Sequence, residues 1–246
     1  MTPLLAPLQE ASLLQQLVQI DTDLFLTLNA LHTAYLDPFM KLYSGKLIWV
    51  PLYVSLVYVM WRNLTWRQLL CGLVCAALVI LFADQVSATL IRPYVARLRP
   101  ANLDNPIAAL VHIVDGYRGG RYSFPSCHAA NTVGLALYVA LLLRHRALTL
   151  FMLGWALLTC YSRIYLGVHY PGDLLVGALI GSLGALLMYA LYRCVTHLTT
   201  TPHATPQHPT APLQQHTQQL RQANLPITVG LLTILCIALY SLGTII

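Results

Sequence analysis

Charged side chains are scarce in this sequence: Asp, Glu, Lys and Arg make up 9% of its 246 residues, whereas soluble domains carry about 25%. Hydrophobic residues account for 57% of the chain, and the mean hydropathy is +0.65. Several apolar runs reach the roughly 17 to 25 residues that cross a bilayer. This composition excludes an ordinary soluble domain and indicates a polytopic, all-α membrane protein. The net charge of +6 then belongs to helix ends and loops, and no nucleic-acid partner is expected.

Acidic residues are fewer still, with eight scattered along the chain, so the sequence offers no carboxylate cluster for a divalent cation. The six cysteines form no Cys-x-x-Cys pair and lie mostly in apolar runs, as small buried hydrophobes do. Three histidines in a stretch rich in Thr, Pro and Gln (His203, His208 and His216) have a spacing that fits no compact metal site. We therefore predict neither a metal ion nor another cofactor.

Apolar runs and their breaks predict a bundle of six transmembrane helices preceded by an amphipathic helix. The predicted spans cover residues 46–61, 69–91, 128–143, 147–161, 173–191 and 225–246. Before them, a helical stripe of leucines is interrupted by Asp21 and Asp23, which favours a helix lying in the membrane interface. The predicted units are an interfacial segment (1–44), a transmembrane core (45–195), a low-complexity polar linker (196–224) and a final span (225–246).

Basic residues in the loops predict the orientation of this bundle. The loops after the first, third and fifth predicted spans hold Arg62 and Arg67, Arg144 and Arg146, and Arg193 and Arg221. Short basic loops mark the cytoplasmic side of a membrane. The other loops are therefore expected on the extracytoplasmic side.

Three polar clusters fall on that extracytoplasmic side, as the number of spans between them requires. The first (92–100) follows the second predicted span, the second (125–128) opens the third span, and the third (162–173) joins the fourth span to the fifth. Charge at the edge of hydrocarbon is costly and is usually kept for a function. We therefore expect the three clusters to form one site.

The arginines of these clusters suit an oxyanion such as phosphate. Arg92, Arg99 and Arg163 offer guanidinium groups that match phosphate oxygens, and free N–H groups at the helix start near Ser126 attract an anion. Arginines would then stabilise a transferring phosphoryl group where other enzymes use a metal. For the other loop arginines, Arg97, Arg118 and Arg121, two interpretations stay open. They are either solvated side chains or contacts with a second substrate phosphate.

Two histidines in the same clusters provide for covalent chemistry. Of His128 and His169, one would attack phosphorus and the other would protonate the leaving oxygen. Asp173 follows His169 by four residues and is placed to orient its ring. Taken singly, His128 is most often an interfacial histidine, and the His169–Asp173 pair is structural about as often as catalytic. Their occurrence together with three arginines on one side favours catalysis.

In order along the chain, the clusters read Arg92-x6-Arg99-Pro100, Pro125-Ser126-Cys127-His128 and Ser162-Arg163-x5-His169-x3-Asp173. Together they resemble the three-part signature of the type 2 phosphatidic acid phosphatase (PAP2) superfamily, which also includes vanadium haloperoxidases and bacterial acid phosphatases. The motifs cover residues 92–173, and the six-span layout resembles the membrane branch over most of the chain. Two positions differ: the family usually has lysine in place of Arg92 and commonly glycine in place of Cys127.

The resemblance implies a role for each matching residue. His169 would form a phosphohistidine while Asp173 holds its ring, and His128 would protonate the leaving group. The remaining matches would bind the phosphoryl oxygens: Arg92, Arg99, Arg163, Ser126 and the amide of Cys127.

The residues, the loop charges, the compact chain and the resemblance together predict a metal-independent lipid phosphatase in a bacterial cytoplasmic membrane, with its site on the extracytoplasmic face. Its partners would be the bilayer and a lipid phosphate: undecaprenyl diphosphate, a lipid A phosphate, phosphatidylglycerophosphate or phosphatidate. Three alternatives stay open: a phosphotransferase using the same phosphohistidine, a vanadate-dependent peroxidase, and a non-catalytic lipid-binding scaffold. The sequence does not specify an oligomeric state.

Overall fold

The computed structural model describes residues 5–199 and 222–245, and within them every regular element is a helix. The main helices are α1 (Leu5–Asn29), α2 (Leu36–Tyr43), α3 (Val50–Asn63), α4 (Trp66–Val95), α5 (Cys127–Leu143), α6 (Arg146–Tyr165), α7 (Pro171–Thr199) and α8 (Leu225–Gly243). Two short 3-10 turns, Leu47–Trp49 and Ala108–Leu110, lie in the connections. The all-α prediction is confirmed.

The helices α6 and α7 extend beyond their predicted spans, because local turn chemistry and not hydropathy sets their ends. α6 continues to Tyr165, and its end is marked by Gly167, whose φ of +71° suits a residue after a helix C-terminus. Arg163 therefore lies in the last turn of α6. α7 begins at Pro171, a favoured first helical residue, and continues to Thr199, past the boundary predicted at 195. Residues 200–221 of the predicted linker, which include its three histidines, lie outside the described residues.

The helix α4 changes its winding near the candidate site. It is α-helical over Trp66–Asp84, π-helical over Gln85–Ile91 and α-helical again over Arg92–Val95. Single π-helical stretches within helices often occur at functional sites. The helix thus continues past the predicted end of the second span at residue 91 and carries the first cluster arginine on its last turn.

Four helices are long and apolar enough to cross a membrane: α4, α6, α7 and α8. A fifth candidate is the pair formed by α2 and the helical stretch Leu47–Asn63, which passes the same test as a unit but is bent by 72°. The helix α5 is also apolar and has 17 residues. By length and composition, the described residues therefore contain four or five candidate spans.

The helices α5 and α7 approach each other closely because small residues lie between their backbones. A Cβ added at Gly181 would overlap the backbone oxygen of Ala130, and one added at Gly177 would overlap that of Ser126. Small residues at such positions let membrane helices pack backbone to backbone. The contact brings the starts of both helices together, where Ser126 N donates to the carbonyl oxygen of Asp173 at 3.0 Å.

One face of α1 packs on the loop between α6 and α7. Phe25 is fully buried, and its ring centroid lies 5.3 Å from that of Tyr170. Asn29 Nδ2 donates to the carbonyl oxygens of Ile164 at 3.1 Å and Tyr165 at 2.9 Å, which satisfies backbone groups at the end of α6. The second half of α1 is therefore anchored to the elements that carry the candidate site.

Candidate active site

The loop between α6 and α7 places His169 in the interior of the protein. His169 is 1% exposed, and Asp173, in the first turn of α7, is 0% exposed. Nδ1 of His169 lies 3.4 Å from Oδ2 of Asp173, but the approach lacks hydrogen-bond geometry, and no described residue hydrogen-bonds with Nδ1. Oδ2 accepts instead from Tyr170 N at 2.9 Å. Catalytic hydrogen bonds are often long without substrate and tighten in the reacting complex.

The surroundings of His169 keep its imidazole neutral. Burial lowers the pKa of His169 well below its usual value, and the guanidinium groups of Arg99, Arg163 and Arg92 lower this pKa further. A hydrogen bond with the Ser123 backbone opposes the shift. Because both burial and positive neighbours disfavour the imidazolium, the ring carries a free lone pair at physiological pH. A neutral imidazole is the form that attacks an electrophile.

Three arginines lie within electrostatic range of this imidazole: Arg92, Arg99 and Arg163. Arg163 is 3% exposed, and its Nη1 donates to Ser44 Oγ. Arg99 Nε donates to the carbonyl oxygen of Tyr122 at 3.1 Å. Burial lowers the pKa of Arg99 to about 10, and the charges of Arg163 and Arg92 lower it as well. Cations held this close repel one another, and a bound anion removes that repulsion.

Two of these guanidinium groups retain donors for a ligand. Arg92 Nε and Arg163 Nε are buried and have no hydrogen-bond partner among the described residues. Such groups are costly unless something pairs with them, and an oxyanion between the arginines would do so. In residues 5–199 and 222–245, no three His, Cys, Asp or Glu side chains are grouped as a metal site requires.

The start of α5 supplies the second cluster. Ser126 is the N-cap of α5, and its buried Oγ accepts from Ala129 N at 3.4 Å. In this structure its hydroxyl therefore stabilises the start of the helix. Arg92 Nη2 donates to Cys127 Sγ at 3.0 Å and to the carbonyl oxygen of Pro125 at 2.8 Å. The two positions that differ from the family pattern are therefore in contact. The long planar arginine reaches a sulfur atom that glycine would not provide.

His128 lies where the polar site meets an apolar groove. His169, Arg163 and Arg99 are all within electrostatic range of its ring. The groove, about 370 Å³, runs between α3, α4 and α5; His128, Lys46 and Asp84 line it together with apolar residues such as Leu73, Ala77 and Leu135. Deeper in, Asn131 Nδ2 donates to Asp84 Oδ1 at 2.9 Å. A phosphate beside His128 can thus be attached to a group that enters hydrocarbon.

The loop arginines separate into different roles. Arg97 Nη1 lies 2.6 Å from Asp21 Oδ2 and 3.2 Å from Asp173 Oδ1, so neither interpretation left open for it describes its contacts. Arg118 donates to the carbonyl oxygen of Ala101 at 2.6 Å. Arg121 makes a long, exposed ion pair of 3.5 Å with Asp104, as a solvated loop arginine does.

Sequence patterns did not identify three residues close to the site: Ser44, Lys46 and Asp21. Ser44 bonds with Arg163, and Lys46 lines the groove beside His128. A lone serine at the end of α2 carries no local signal. Lys46 and Asp21 are charges within apolar surroundings, which in a membrane protein is itself a signal for function.

Gly119 makes room for Arg99. Its φ is +67°, and an added Cβ would lie 3.0 Å from Arg99 Cζ and overlap Nη1. We expect Gly119→Ala to move the guanidinium group and reduce kcat/KM for phosphate release by roughly 10- to 100-fold, because small displacements of positioning groups cost about that much. Gly116→Ala is the matched control, since its φ of +69° imposes the same backbone strain while nothing lies within 4 Å of the Cβ that it would add. Equal activity of the two variants would show that this position of Arg99 is not required.

Comparison with known proteins shows which family the chain belongs to. The PAP2 superfamily profile matches residues 69–196. Lipid A 4'-phosphatase from Bacteroides thetaiotaomicron is 44% identical over 230 residues, covering 94% of this chain and 99% of that protein. Lipid A 4'-phosphatase from Porphyromonas gingivalis is 32% identical, covering 73% of this chain and 75% of that protein. A PAP2-type phosphatidylglycerolphosphate phosphatase from Bacillus subtilis shares the fold, with a TM-score of 0.52, 21% identity, and coverage of 77% and 90% of the two chains.

Fold, site and relatives together define an integral-membrane phosphatase. The chain belongs to the PAP2 superfamily. Within that superfamily it is a lipid phosphatase, a phosphoric ester hydrolase of the membrane branch.

Proposed function

We propose that this protein hydrolyses a phosphate monoester or diphosphate on a membrane lipid through a phosphohistidine at His169, without a metal ion. The observation that carries the proposal is one buried imidazole, His169, whose Nδ1 lies 3.4 Å from Asp173 Oδ2 and whose ring is within the field of three arginines. In addition, the groove beside His128 leads from this site into apolar surroundings. A soluble phosphate ester would have no use for such a groove.

The reaction would proceed in two displacements. A ring nitrogen of His169 attacks phosphorus, the N–P bond forms, and the bond to the leaving oxygen breaks as His128 donates a proton to it. His128, now neutral, then takes a proton from water, whose oxygen attacks phosphorus and releases inorganic phosphate from His169. Asp173 stabilises the positive charge on the nucleophilic ring in both steps, as the carboxylate does in other histidine–carboxylate pairs.

Arginines would supply the positive charge that this transfer needs. The equatorial oxygens of a transferring phosphoryl group gather negative charge, and fixed cations in a buried site stabilise it. Arg92, Arg99 and Arg163 are fixed in this way by hydrogen bonds to Pro125, Tyr122 and Ser44. The Ser126 hydroxyl and the Cys127 amide at the start of α5 would complete the oxyanion site.

A lipid A phosphate is the substrate that we place first. The support is the 44% identity with a lipid A 4'-phosphatase, which extends over nearly the full length of both proteins. Undecaprenyl diphosphate, phosphatidylglycerophosphate and phosphatidate are the competing substrates. Two partners follow from any of these, the lipid phosphate and the bilayer.

In the membrane, we propose six spans, with α5 and the bent α2–α3 unit added to α4, α6, α7 and α8. At about 1.5 Å per residue, the 17 residues of α5 cover most of a hydrocarbon core of about 30 Å. α1 would lie in the interface, because one face packs on the protein while Leu17 and Leu24 stay exposed. The basic loops favour an orientation in which the site faces away from the cytoplasm, and the bacterial relatives favour a bacterial cytoplasmic membrane.

The test is phosphate release by purified full-length protein in detergent with EDTA, from lipid A carrying only the 1-phosphate, lipid A carrying only the 4'-phosphate, and the three competing lipids. His169→Asn protein serves as the blank. We expect release from one lipid A form to be fastest and EDTA to leave it unchanged. Loss of activity in EDTA would contradict metal independence. Transfer of labelled phosphate to an added alcohol would identify a phosphotransferase. Oxidation of halide in the presence of vanadate would identify a peroxidase, and lipid binding without turnover would identify a scaffold.

A further inference from the structure

Arg97 connects the carboxylate beside His169 with a second carboxylate on the N-terminal helix. Its Nη1 contacts Asp173 Oδ1 at 3.2 Å and Asp21 Oδ2 at 2.6 Å. Its Cζ atom also lies 3.6 Å from the ring centroid of Tyr170, and the Tyr170 hydroxyl accepts from Asn105 at 2.9 Å. The guanidinium group is therefore held between two acids and an aromatic ring, all at the start of α7 or against it.

Asp21 also contacts the backbone that carries the proposed nucleophile. Its Oδ1 accepts from Gly172 N at 2.7 Å, in the first turn of α7. Free N–H groups at a helix start favour a carboxylate. Since Oδ2 is on Arg97 at the same time, one carboxylate of α1 fixes both the side chain that faces Asp173 and the backbone next to it.

Charge balance explains why the second carboxylate matters. Asp173 is fully buried, whereas Arg97 and Asp21 are 21% and 16% exposed at their side chains. Arg97 shares its charge between two anions, so Asp173 is stabilised without being fully neutralised. If Asp21 were uncharged, the whole charge of Arg97 would act on Asp173 and draw its carboxylate away from Nδ1 of His169, already 3.4 Å distant.

We propose that Asp21 is a positioning residue for the phosphoryl transfer: through Arg97 it sets the orientation and charge of Asp173, and through Asp173 the nucleophilicity of His169. The inference rests on the proposed role of His169 and extends the site to α1, which lies outside all three signature motifs. The remaining charged or titratable neighbours of His169 are Arg92, Arg99, Arg163 and His128, and none of them contacts Asp21 in the described hydrogen bonds and ion pairs.

The test is Asp21→Asn in the full-length protein, with Asp23→Asn as the matched control. Asparagine keeps the size of the side chain and an acceptor for Gly172 N but removes the charge. Asp23 lies on the same helix, is exposed, and accepts from Gln19 at 2.7 Å. With the lipid phosphate that wild type hydrolyses fastest, we expect kcat for Asp21→Asn to fall roughly 10- to 100-fold, the size seen for displaced positioning groups. KM should change less than about threefold, Asp23→Asn should match wild type, and Asp21→Glu should recover part of the loss.

The pH profile separates positioning from general destabilisation. His169 must be neutral to attack, so activity is lost as pH falls through its pKa. Without Asp21, Arg97 disfavours the imidazolium more strongly, and the acid limb of kcat/KM should move to lower pH while the plateau falls. A lower plateau without a shifted limb, or wild-type activity in Asp21→Asn, would overturn the positioning role. A wild type that releases no phosphate in the same assay would overturn the proposed function, and the positioning role with it.

Arg97 provides a second and independent measurement. If Asp21 acts through Arg97, the loss in Arg97→Gln should not be increased by adding Asp21→Asn, because residues in one network are not additive. Additive losses would mean that Asp21 acts through Gly172 alone. That outcome would also overturn the inference.

Discussion

Replacing His169 by asparagine should abolish phosphate release, with a loss of at least about 10³-fold, since removing the nucleophile of a covalent mechanism commonly costs that much or more. Asparagine is polar and fits the volume of the ring, but it has no lone pair of comparable nucleophilicity. The variant should therefore fold and still bind the lipid phosphate through its arginines. Wild type quenched during turnover of a ³²P-labelled lipid should carry label that is lost in acid and retained in base, as a phosphohistidine requires, and His169→Asn should carry none.

His145→Asn is the matched control for this experiment. His145 caps the start of α6, where its Nδ1 accepts from Leu148 N at 3.3 Å, and asparagine is also a good N-cap. It follows the end of α5, the end remote from Ser126 and the candidate site. Label on the protein that persists in His169→Asn would contradict the assignment and point to another nucleophile.

The helical architecture was largely predictable because hydropathy sets it. Apolar runs of span length form helices wherever backbone groups cannot be satisfied by water, so α4, α6, α7 and α8 follow from composition alone. The helix ends were less predictable. Gly167 marks the end of α6 and Pro171 the start of α7, next to the site. Such single-residue signals are weak compared with the hydropathy of a long apolar run. The 72° bend between α2 and the following stretch falls at a break that contains Gly45, and a single glycine is too weak a signal to predict a bend.

The candidate site was predictable to the extent that its residues stand in motifs. Counting spans predicted that the three clusters share one side of the membrane, and the structure brings Arg92 to Cys127 and Arg99 to Arg163. Asp21 could not be assigned in this way, because its partner Arg97 lies 76 residues away along the chain. As an acid within a leucine stripe, it indicates only a helix that lies in the membrane interface. Long-range pairs of this kind require the fold.

Replacing His128 by asparagine should have an effect that depends on the leaving group. If His128 protonates the departing oxygen, loss of the acid should slow hydrolysis of a lipid phosphate monoester by roughly 10²- to 10⁴-fold, since an alcohol leaves poorly as an alkoxide. From a lipid diphosphate the leaving group is the lipid monophosphate, a phosphate monoester whose second pKa is about 6, so it needs little help from an acid. With that substrate the first displacement in His128→Asn should be slowed much less.

In the second displacement, His128 would act as the general base. Water must lose a proton to attack the phosphohistidine, and His128→Asn lacks the base that would accept it. With a lipid diphosphate, the variant should therefore form labelled protein almost as fast as wild type but lose the label slowly, so that phosphoenzyme accumulates. With a monoester, no accumulation is expected, because the first step is already blocked. Equal losses on both substrates, without accumulation on either, would show that His128 only shapes the groove that it lines with Lys46 and Asp84.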